Sequence, residues 1–436
     1  MNRLSTRLPG AAWLLGLLLL LGCSKQEPEP EYSYLTYATY RPVLMTRTAL
    51  ESSVAALPPQ AMHNPGKIYL RGSYVFVNEK FAGIHVIDNT NPAQPRLVSF
   101  LRIPGNIDLA VRGNLLYADN GPDLVTLDIS DPAHVQPTGR VRDAFRELPI
   151  PEWSTLEEAY QPANRPSNSV VVGWRKLAPG EAVPVKITYY GPRGGGGMFF
   201  NNGATLSTGN SAAPASAGGS ATGKGGSMAR FAILNQTLYT VDEQSLRLFS
   251  LQNPAVPTAG PKVQLVPGIE TIFPTGHYLF LGTQRGMYIF DVATPSAPVQ
   301  VSFYQHLVSC DPVVVDGNYA YVTLRSGQTC GGGANVLQVI DLTNLSQPRL
   351  ATSLPMVIPK GLGAEGNRLY VCDDGLKVFD TSRTPALTQI QKFTTALTDV
   401  IPNGNYLLAV GPGGLYQYQI GSTAALQQVS VLPIVP

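Results

Sequence analysis

The nine residues Ile84–Pro92 read IHVIDNTNP, an apolar strand that ends in Asp and is followed by a turn with Pro. With one interruption, the pattern returns at intervals of roughly 40 residues, the period of a four-stranded propeller blade. Its other copies are Leu124–Pro132 (LVTLDISDP), Leu246–Pro254 (LRLFSLQNP), Met287–Pro295 (MYIFDVATP), Leu337–Leu345 (LQVIDLTNL), Leu376–Pro385 (LKVFDTSRTP) and the degenerate Leu415–Ile420 (LYQYQI). The chain is therefore predicted to be one repeat architecture.

A second strand precedes each copy and begins after a tight turn with Gly or Asn. These strands are Tyr74–Glu79, Leu115–Asn120, Leu238–Glu243, Tyr278–Thr283, Tyr319–Leu324, Leu369–Asp374 and Tyr406–Gly411, after Gly72, Gly113, Asn235, Gly276, Gly317, Gly366 and Gly404. A short first strand leads into each turn, as at Ile107–Arg112, and a fourth follows each Pro turn, as at Arg96–Ile103. Such units must stack to bury their faces, and a ring leaves no open ends. We predict an all-β fold, a seven-bladed β-propeller of four-stranded blades.

These repeats resemble the LVIVD-repeat family, whose name spells the strand quoted above. The resemblance covers residues 67–436. Asp88, Asp128, Asp291, Asp341 and Asp380 match the family Asp, whereas Ser250 and Gln419 depart from it and Leu345 stands where the family has Pro. The departures make the third and last blades the weakest matches. The resemblance implies a propeller fold and bacterial export, and it implies no established reaction.

The five matching aspartates invite a catalytic interpretation, which we weighed against a structural one. An Asp at a strand end accepts hydrogen bonds from backbone N–H groups two residues further on. Because one Asp recurs in almost every blade, we expect this turn role rather than catalysis.

The N-terminus is predicted to be a lipoprotein signal. Two arginines precede the apolar run Ala11–Leu21, which is too short to span a bilayer as a stable helix. The tetrad Leu20–Cys23 (LLGC) looks like a bacterial lipobox, in which the chain is cut before Cys23 and that residue is lipidated. Ser24 is not the Asp associated with inner-membrane retention, which favours the outer membrane. Which side of that membrane the protein faces is left open.

The predicted organisation has three parts: a signal peptide over 1–22, a lipidated tether and lead-in over 23–66, and the propeller over 67–436. One long insertion, residues 144–226, separates the second and third repeats, and its second half, Gly191–Gly226, is glycine-rich and expected to be flexible. A second irregularity, Arg325–Asn335, lengthens one loop of the fifth unit.

Composition excludes some partners. The chain has 31 basic and 29 acidic residues, and without a basic block we expect no nucleic acid partner. The segment Gly218–Gly225 (GGSATGKG) nearly spells a phosphate-binding loop but lacks its final Ser or Thr and its strand and helix. The five histidines show no ligand spacing, so we expect ordinary surface or turn histidines and no metal or other cofactor.

Four cysteines remain to be explained, and Cys23 is assigned to lipid. Cys310 begins the first strand of unit five and Cys330 lies in the loop after its second strand, so the two should lie on adjoining strand ends. We predict a Cys310–Cys330 disulfide, in keeping with an oxidising compartment. Cys372 lies inside a strand and is expected to be a buried free thiol.

A charged residue near the start of each first strand gives the candidate site. In a propeller the first strands line the central channel, so these residues would form a ring at its mouth: Lys67, Asp108, Arg230, Glu270, Asp311, Lys360 and Asp399. They could bind a ligand or pair with one another as strand ends, since structural ion-pair networks also gather charges. The insertion and the long loop of unit five should lie on the same face as this ring.

The sequence thus favours a lipid-anchored envelope propeller that serves as a binding scaffold, with an envelope protein or glycan as partner and membrane contact through its lipid. The alternative is an envelope carbohydrate-active enzyme, in which a pair such as Asp108 and Glu270 would perform acid–base chemistry. Nothing in the sequence places those two carboxylates at a catalytic separation, so we expect binding rather than catalysis.

Overall fold

The structure of the chain is a computed structural model, which describes residues 31–151, 154–178, 180–190, 223–306, 312–327, 334–421 and 425–435. Predictions for Cys23, the signal peptide, Cys310, Cys330 and Asp311 therefore concern residues outside these ranges. Within them, no helix has the length and apolar character needed to cross a membrane.

A lead-in precedes the repeats. It contains β1 (Glu31–Ala38), β2 (Tyr40–Thr46), the short helix α1 (Arg47–Glu51) and β3 (Ala55–Leu57). The side chain of Thr46 caps α1 by accepting a hydrogen bond from the N–H of Ala49 at 3.2 Å.

The first two blades and the insertion follow. Blade 1 contains β4 (Pro65–Arg71), β5 (Tyr74–Glu79), β6 (Gly83–Asp88) and β7 (Arg96–Arg102). Blade 2 contains β8 (Leu109–Arg112), β9 (Leu115–Asn120), β10 (Asp123–Asp128) and β11 (Gln136–Val141). The insertion contains a 3₁₀ turn (Glu158–Tyr160), β12 (Ser169–Lys176), β13 (Val183–Tyr190) and β14 (Lys224–Gly225).

Five more blades complete the fold. Blade 3 has β15 (Phe231–Leu234), β16 (Thr237–Asp242), β17 (Ser245–Ser250) and β18 (Thr258–Gln264); blade 4 has β19 (Ile269–Thr275), β20 (Tyr278–Thr283), β21 (Gly286–Asp291) and β22 (Val299–Gln305). Blade 5 has β23 (Val313–Asp316), β24 (Tyr319–Leu324), β25 (Val336–Asp341) and β26 (Arg349–Pro355). Blade 6 has β27 (Leu362–Glu365), β28 (Arg368–Cys372), β29 (Leu376–Asp380) and β30 (Thr388–Phe393); blade 7 has β31 (Asp399–Asn403), β32 (Tyr406–Gly411), β33 (Gly414–Ile420) and β34 (Leu426–Pro433).

The predicted seven-bladed propeller is confirmed. The four strands of each blade pair antiparallel in sequence order. Each first strand contacts the first strand of the next blade, and β31 contacts β4, which closes the ring. Clusters of buried apolar side chains fill the spaces between neighbouring blades, including blades 7 and 1, where Val410 and Leu415 share a cluster with Val75 and Val77. The core therefore lies between the sheets.

The turns between first and second strands follow the sequence prediction. All seven predicted turn residues adopt a left-handed conformation, with φ between 55° and 60°, a region that Gly enters freely and Asn tolerates. These turns define the lower face of the propeller. The first strands begin at the opposite face, called here the upper face, which also carries the loops between second and third strands.

The Asp that recurs in five of the seven repeats has the predicted turn role. The Oδ1 atoms of Asp88, Asp128, Asp291, Asp341 and Asp380 each accept a hydrogen bond from the N–H two residues further on, at 2.8–2.9 Å. These bonds hold the turn that leads to the fourth strand. At the equivalent position in blade 3, Ser250 makes a longer bond to Gln252 N at 3.4 Å.

The lead-in and the insertion are paired with each other, which the sequence did not reveal. β1 pairs with β13 and β2 with β12 in antiparallel register, and the N–H of Leu177 donates to the carbonyl of Thr39 where the two ladders meet. We call this paired segment the ribbon. β12 packs on the upper-face loops that contain Phe81 and Gly121. The ribbon therefore lies over blades 1 and 2 on the upper face.

Candidate functional site

The predicted charged ring lies where the first strands begin, and the structure connects three of its members directly. The Nζ atom of Lys67 pairs with Asp108 Oδ2 at 2.8 Å, and that oxygen also accepts a hydrogen bond from the backbone N–H of Arg230. Asp108 Oδ1 accepts from Leu109 N at 2.7 Å. The carboxylate of Asp108 is thus fully engaged in holding blades 1, 2 and 3 together.

A segment of the insertion runs through the channel beside these charges. β14 pairs with the channel-facing edge of β4, with Lys224 opposite Leu70 and Gly225 opposite Tyr69. Lys224 Nζ donates to the carbonyl of Pro402 at 2.7 Å and pairs with Glu365 at 3.2 Å, near the lower face. Residues 223–229 therefore ascend from the lower to the upper end of the channel. We call them the channel segment.

Asp399 anchors the upper end of the channel segment. Its Oδ1 atom accepts hydrogen bonds from Ser227 Oγ and Val400 N, both at 3.0 Å, and Ser227 Oγ in turn accepts from Leu362 N at 2.9 Å. A Cβ atom on Gly226 would lie 1.9 Å from Asp399 Oδ2, so only Gly fits there. Burial raises the pKa of Asp399 to about 7, although the Ser227 and Val400 hydrogen bonds and Lys67 oppose the rise.

Two further ring members, Glu270 and Lys360, are described by the structure. Glu270 belongs to blade 4 and accepts a hydrogen bond from Gln284 Nε2 at 3.2 Å. The backbone of Lys360 bonds to the carbonyl of Cys372 and the hydroxyl of Thr323. Cys372 is fully buried, as predicted, and burial raises the pKa of its thiol.

A pocket of about 290 Å³ opens on the upper face between blades 2 and 3. Its floor contains Asp108 and Asp119 of blade 2 and Arg230 of blade 3, and its rim is the base of the insertion, Arg146–Ile150. The pocket is therefore lined by two residues of the predicted charged ring, Asp108 and Arg230, and by the start of the insertion that was predicted to lie on the same face.

Asp119 is a member of this site that the sequence analysis missed. It lies near the end of β9, and its Oδ1 atom accepts hydrogen bonds from Ile107 N at 2.8 Å, Asp108 N at 3.0 Å and Asn106 Nδ2 at 2.7 Å. Burial and the nearby Asp108 raise the pKa of Asp119 to about 6 against the opposing effect of those hydrogen bonds and Arg230. The available signal was a carboxylate at a strand position that is apolar or uncharged in the other blades.

The histidines are not gathered into a site. His85 is buried, in contrast to the surface or turn position expected for it, and its Nε2 atom lies 3.0 Å from Glu79 Oε2. Over the ranges that the structure describes, no cluster of three or more His, Cys, Asp or Glu residues has the arrangement of a metal site.

Comparisons with known proteins agree with the repeat analysis. The family model described as the LVIVD repeat matches residues 65–101, 106–143, 272–306 and 309–354, which are blades 1, 2, 4 and 5. Blades 3, 6 and 7 are not matched: blades 3 and 7 depart from the family Asp, whereas blade 6 keeps it at Asp380. No curated protein sequence matches the chain.

Solved structures similar to this one share only its fold. A protein from Lactobacillus plantarum is 13% identical, with 88% of this chain and 97% of that chain covered and a TM-score of 0.51. The periplasmic gluconolactonase PpgL of Pseudomonas aeruginosa is 12% identical, with 87% and 96% covered and a TM-score of 0.49. BamB of Moraxella catarrhalis is 11% identical, with 88% and 97% covered and a TM-score of 0.44. The chain is thus a closed seven-bladed β-propeller, and four of its seven blades match the LVIVD repeat.

Proposed function

We propose that this protein is a lipid-anchored binding scaffold of the bacterial cell envelope, which takes its ligand or partner at the upper face between blades 2 and 3. The observation that carries the proposal is the pocket lined by Asp108, Asp119, Arg230 and the base of the insertion. An elaborated face on a regular scaffold is the usual place for function.

The geometry of the lead-in supports the anchored arrangement. The lipobox-like tetrad ends at Cys23, and β1 begins only eight positions later, at Glu31. Because β1 and β2 of the lead-in form part of the ribbon on the upper face, we propose that a lipid on Cys23 would tether the propeller by the side that carries the pocket. Ser24, in place of the Asp associated with inner-membrane retention, favours the outer membrane as the location.

Binding is favoured over the carbohydrate-active alternative. Acid–base chemistry on a glycan needs two carboxyl groups that face each other across the substrate. Asp108 is engaged with Lys67 and two backbone N–H groups, and Glu270 is not among the residues that line the pocket.

Site-specific photo-crosslinking in cells tests the binding face. A photoreactive residue at Ile150, which is 37% exposed at the pocket rim, should give a discrete crosslinked species. The matched control is Val299, which is 50% exposed on the outer strand of blade 4. Crosslinks from Val299 of equal yield and pattern, or none from Ile150, would reject the upper face as the binding face.

The anchor is tested by Cys23→Ala. This change should release the protein from membranes or leave the signal uncut, because no acyl chains can then be attached. Membrane fractionation with mass measurement decides the question. The same membrane yield and mature mass as wild type would refute lipidation.

An exported location also supports the Cys310–Cys330 disulfide. It closes a loop of about 20 residues, for which the chain-entropy model gives a stabilisation of roughly 3 kcal/mol. Non-reducing peptide mapping of the full-length protein should find the linked peptide. Recovery of both residues as free thiols from protein purified without reductant would disprove the bridge.

A further inference from the structure

Among the residues that the structure describes, none forms an ion pair with the guanidinium group of Arg230. Its Nε atom donates to the carbonyl of Val241 at 3.2 Å, and within the described part of the chain its two Nη groups make no hydrogen bond. The carboxylate of Asp108 accepts a hydrogen bond from the backbone N–H of Arg230, but it is also engaged with Lys67 and with the N–H of Leu109. The terminal fork of Arg230 is therefore available in a pocket that the side chain helps to line.

The other charges of the pocket leave this guanidinium uncompensated. Glu147 pairs with Arg165, and Asp242 accepts hydrogen bonds from Gln244 N, Ser245 Oγ and Arg247 Nε. Arg146 at the rim donates to Gln244 Oε1 at 2.6 Å. Among the buried carboxylates of the lining, Asp119 alone has an oxygen, Oδ2, that accepts no hydrogen bond from described residues, and Arg230 acts on its charge. The remaining carboxylate of the lining, Glu243, is exposed to solvent.

Apolar side chains form the remaining walls. Phe145 and Phe231 have ring centroids 5.5 Å apart, and Ile107, Leu148 and Val241 complete the lining. An apolar body of modest size can be desolvated against these walls while its charged end meets Arg230. A guanidinium fork matches the planar geometry of a carboxylate, to which it can donate two parallel hydrogen bonds.

We propose that this pocket binds a small organic monocarboxylate with an apolar body, whose carboxylate pairs with the free fork of Arg230. The inference rests on the proposed function, since it names the ligand class of the same site. Asp119 disfavours a second negative charge on the ligand, so a monoanion is preferred over a phosphate dianion.

Calorimetric titration of the full-length protein tests this ligand class. The probes are N-acetylphenylalanine, its uncharged amide and inorganic phosphate. The amide should bind at least about tenfold more weakly than the acid, because a hydrogen bond to a charged group contributes about 1.5–3 kcal/mol. Arg230→Met should cause a similar loss for the acid only.

The control is Arg71→Met, which removes a guanidinium that donates to Asn114 at the lower face. It should leave binding of the acid unchanged. Equal affinity for acid and amide, tighter binding of phosphate, absence of binding, or equal effects of the two Arg substitutions would each overturn the proposal. Failure here with successful crosslinking at Ile150 removes only the carboxylate, whereas failure of the crosslinking rejects the binding face itself.

The pH dependence provides a second readout that does not require removal of Arg230. The charged groups that face Asp119 are Asp108, Arg230 and, through Asp108, Lys67; those on the pocket rim are Arg146, Glu147, Asp242 and Glu243. Because Asp119 is neutral below a pKa of about 6 and ionised above it, the acid should bind more tightly at pH 5.5 than at pH 7.5. Asp119→Asn should flatten this difference and strengthen binding at pH 7.5, and a variant with an unchanged pH profile would contradict the arrangement.

Discussion

At the scale of single residues, two kinds of carboxylate occur in this propeller. The repeat aspartates, such as Asp88 and Asp380, lie at turns and accept local backbone hydrogen bonds. Asp119 and Asp399 are instead buried at the channel end of blades 2 and 7. The first kind was predictable because the signal is local and recurs. Asp399 was predicted in position but not in role, since its partner Ser227 is distant in sequence.

Asp399→Asn should change how stability depends on pH. The folded-state pKa of about 7 lies above the usual value of 3.8 for an aspartate, so the stability that this group contributes is present below pH 4 and is lost as pH rises through 7. The free energy of unfolding of the variant, relative to that of wild type, should therefore rise from pH 4.5 to pH 8. The rise should be at most about 4 kcal/mol, since each pKa unit corresponds to about 1.36 kcal/mol. Urea unfolding at both pH values measures this difference.

Asp380→Asn provides the matched control for that measurement. Hydrogen bonds from Ser382 lower the pKa of this exposed turn residue, so its contribution is present at high pH and is lost as pH falls. The variant should show a small change of opposite sign. Parallel pH profiles for the two variants would contradict the assignment of Asp399.

At the scale of strands, the repeated motif and the turn residues predicted which strands form, but not the irregular pairing of the fourth strand in each blade. A register shift interrupts the pairing of third and fourth strands in all seven blades, as between Val86 and Ile87. Such bulges increase local twist. Alternation of apolar and polar residues does not reveal an extra residue in one strand, which is why the bulges escaped prediction.

A serine of the fourth strand joins neighbouring blades in three places. Ser99, Ser302 and Ser430 each donate from Oγ to a backbone carbonyl in the turn of the following blade, at 2.5–2.7 Å. Ser302→Ala should lower the free energy of unfolding by about 1–2 kcal/mol, because the buried carbonyl of Leu345 loses its donor. Chemical denaturation measures the loss. Ser353→Ala, at an exposed position of β26, should have almost no effect, and equal losses would refute the role of Ser302.

The lead-in is held to blade 2 by a buried carboxylate. Asp123 is fully buried and accepts from Arg47 and Arg140, each at 2.6 Å. Asp123→Asn should destabilise the protein by about 2–3 kcal/mol, since Arg47 and Arg140 both lose a buried charged acceptor and keep only Asp143 and Asn120 as side-chain partners. The lead-in should also become more sensitive to limited proteolysis near α1.

The exposed pair of Arg142 and Glu51 gives the corresponding control. Arg142→Ala should change stability by less than about 1 kcal/mol, as is usual for surface ion pairs. A loss as large as that of Asp123→Asn would mean that burial of the carboxylate is not what matters. Pairing between the lead-in and the insertion could not be predicted, because more than a hundred residues separate the partners and no local pattern links them.

At the scale of the whole molecule, the ring closes between blades that share no strand. Asn89 and Gln417 exchange two amide hydrogen bonds, at 2.9 and 2.6 Å. A parallel bridge also joins Met62, which precedes blade 1, to Ile434, which follows the last strand of blade 7. The seven blades and their closure followed from the repeat count, whereas the channel segment did not, because its Gly-rich sequence reads as a flexible linker.

The amide pair at the closure should show energetic coupling. Asn89→Ala and Gln417→Ala should each lower the free energy of unfolding by about 1–2 kcal/mol, and the double variant should lose less than their sum because both remove the same pair. A double-mutant cycle from equilibrium unfolding measures this. Strict additivity would show that the two amides do not act together.

Each blade is built from one uninterrupted stretch of chain, and this has a consequence for how such a gene can change. Duplication or loss of one segment of roughly 40 codons would add or remove a complete four-stranded unit. No blade would lose its fourth strand to another repeat, because the fourth strand of every blade comes from the same stretch of chain as its first three. The long insertion begins after β11 and ends before β15, so it too lies at a boundary between units. An ancestor could therefore have acquired it by recombination without disrupting an existing sheet.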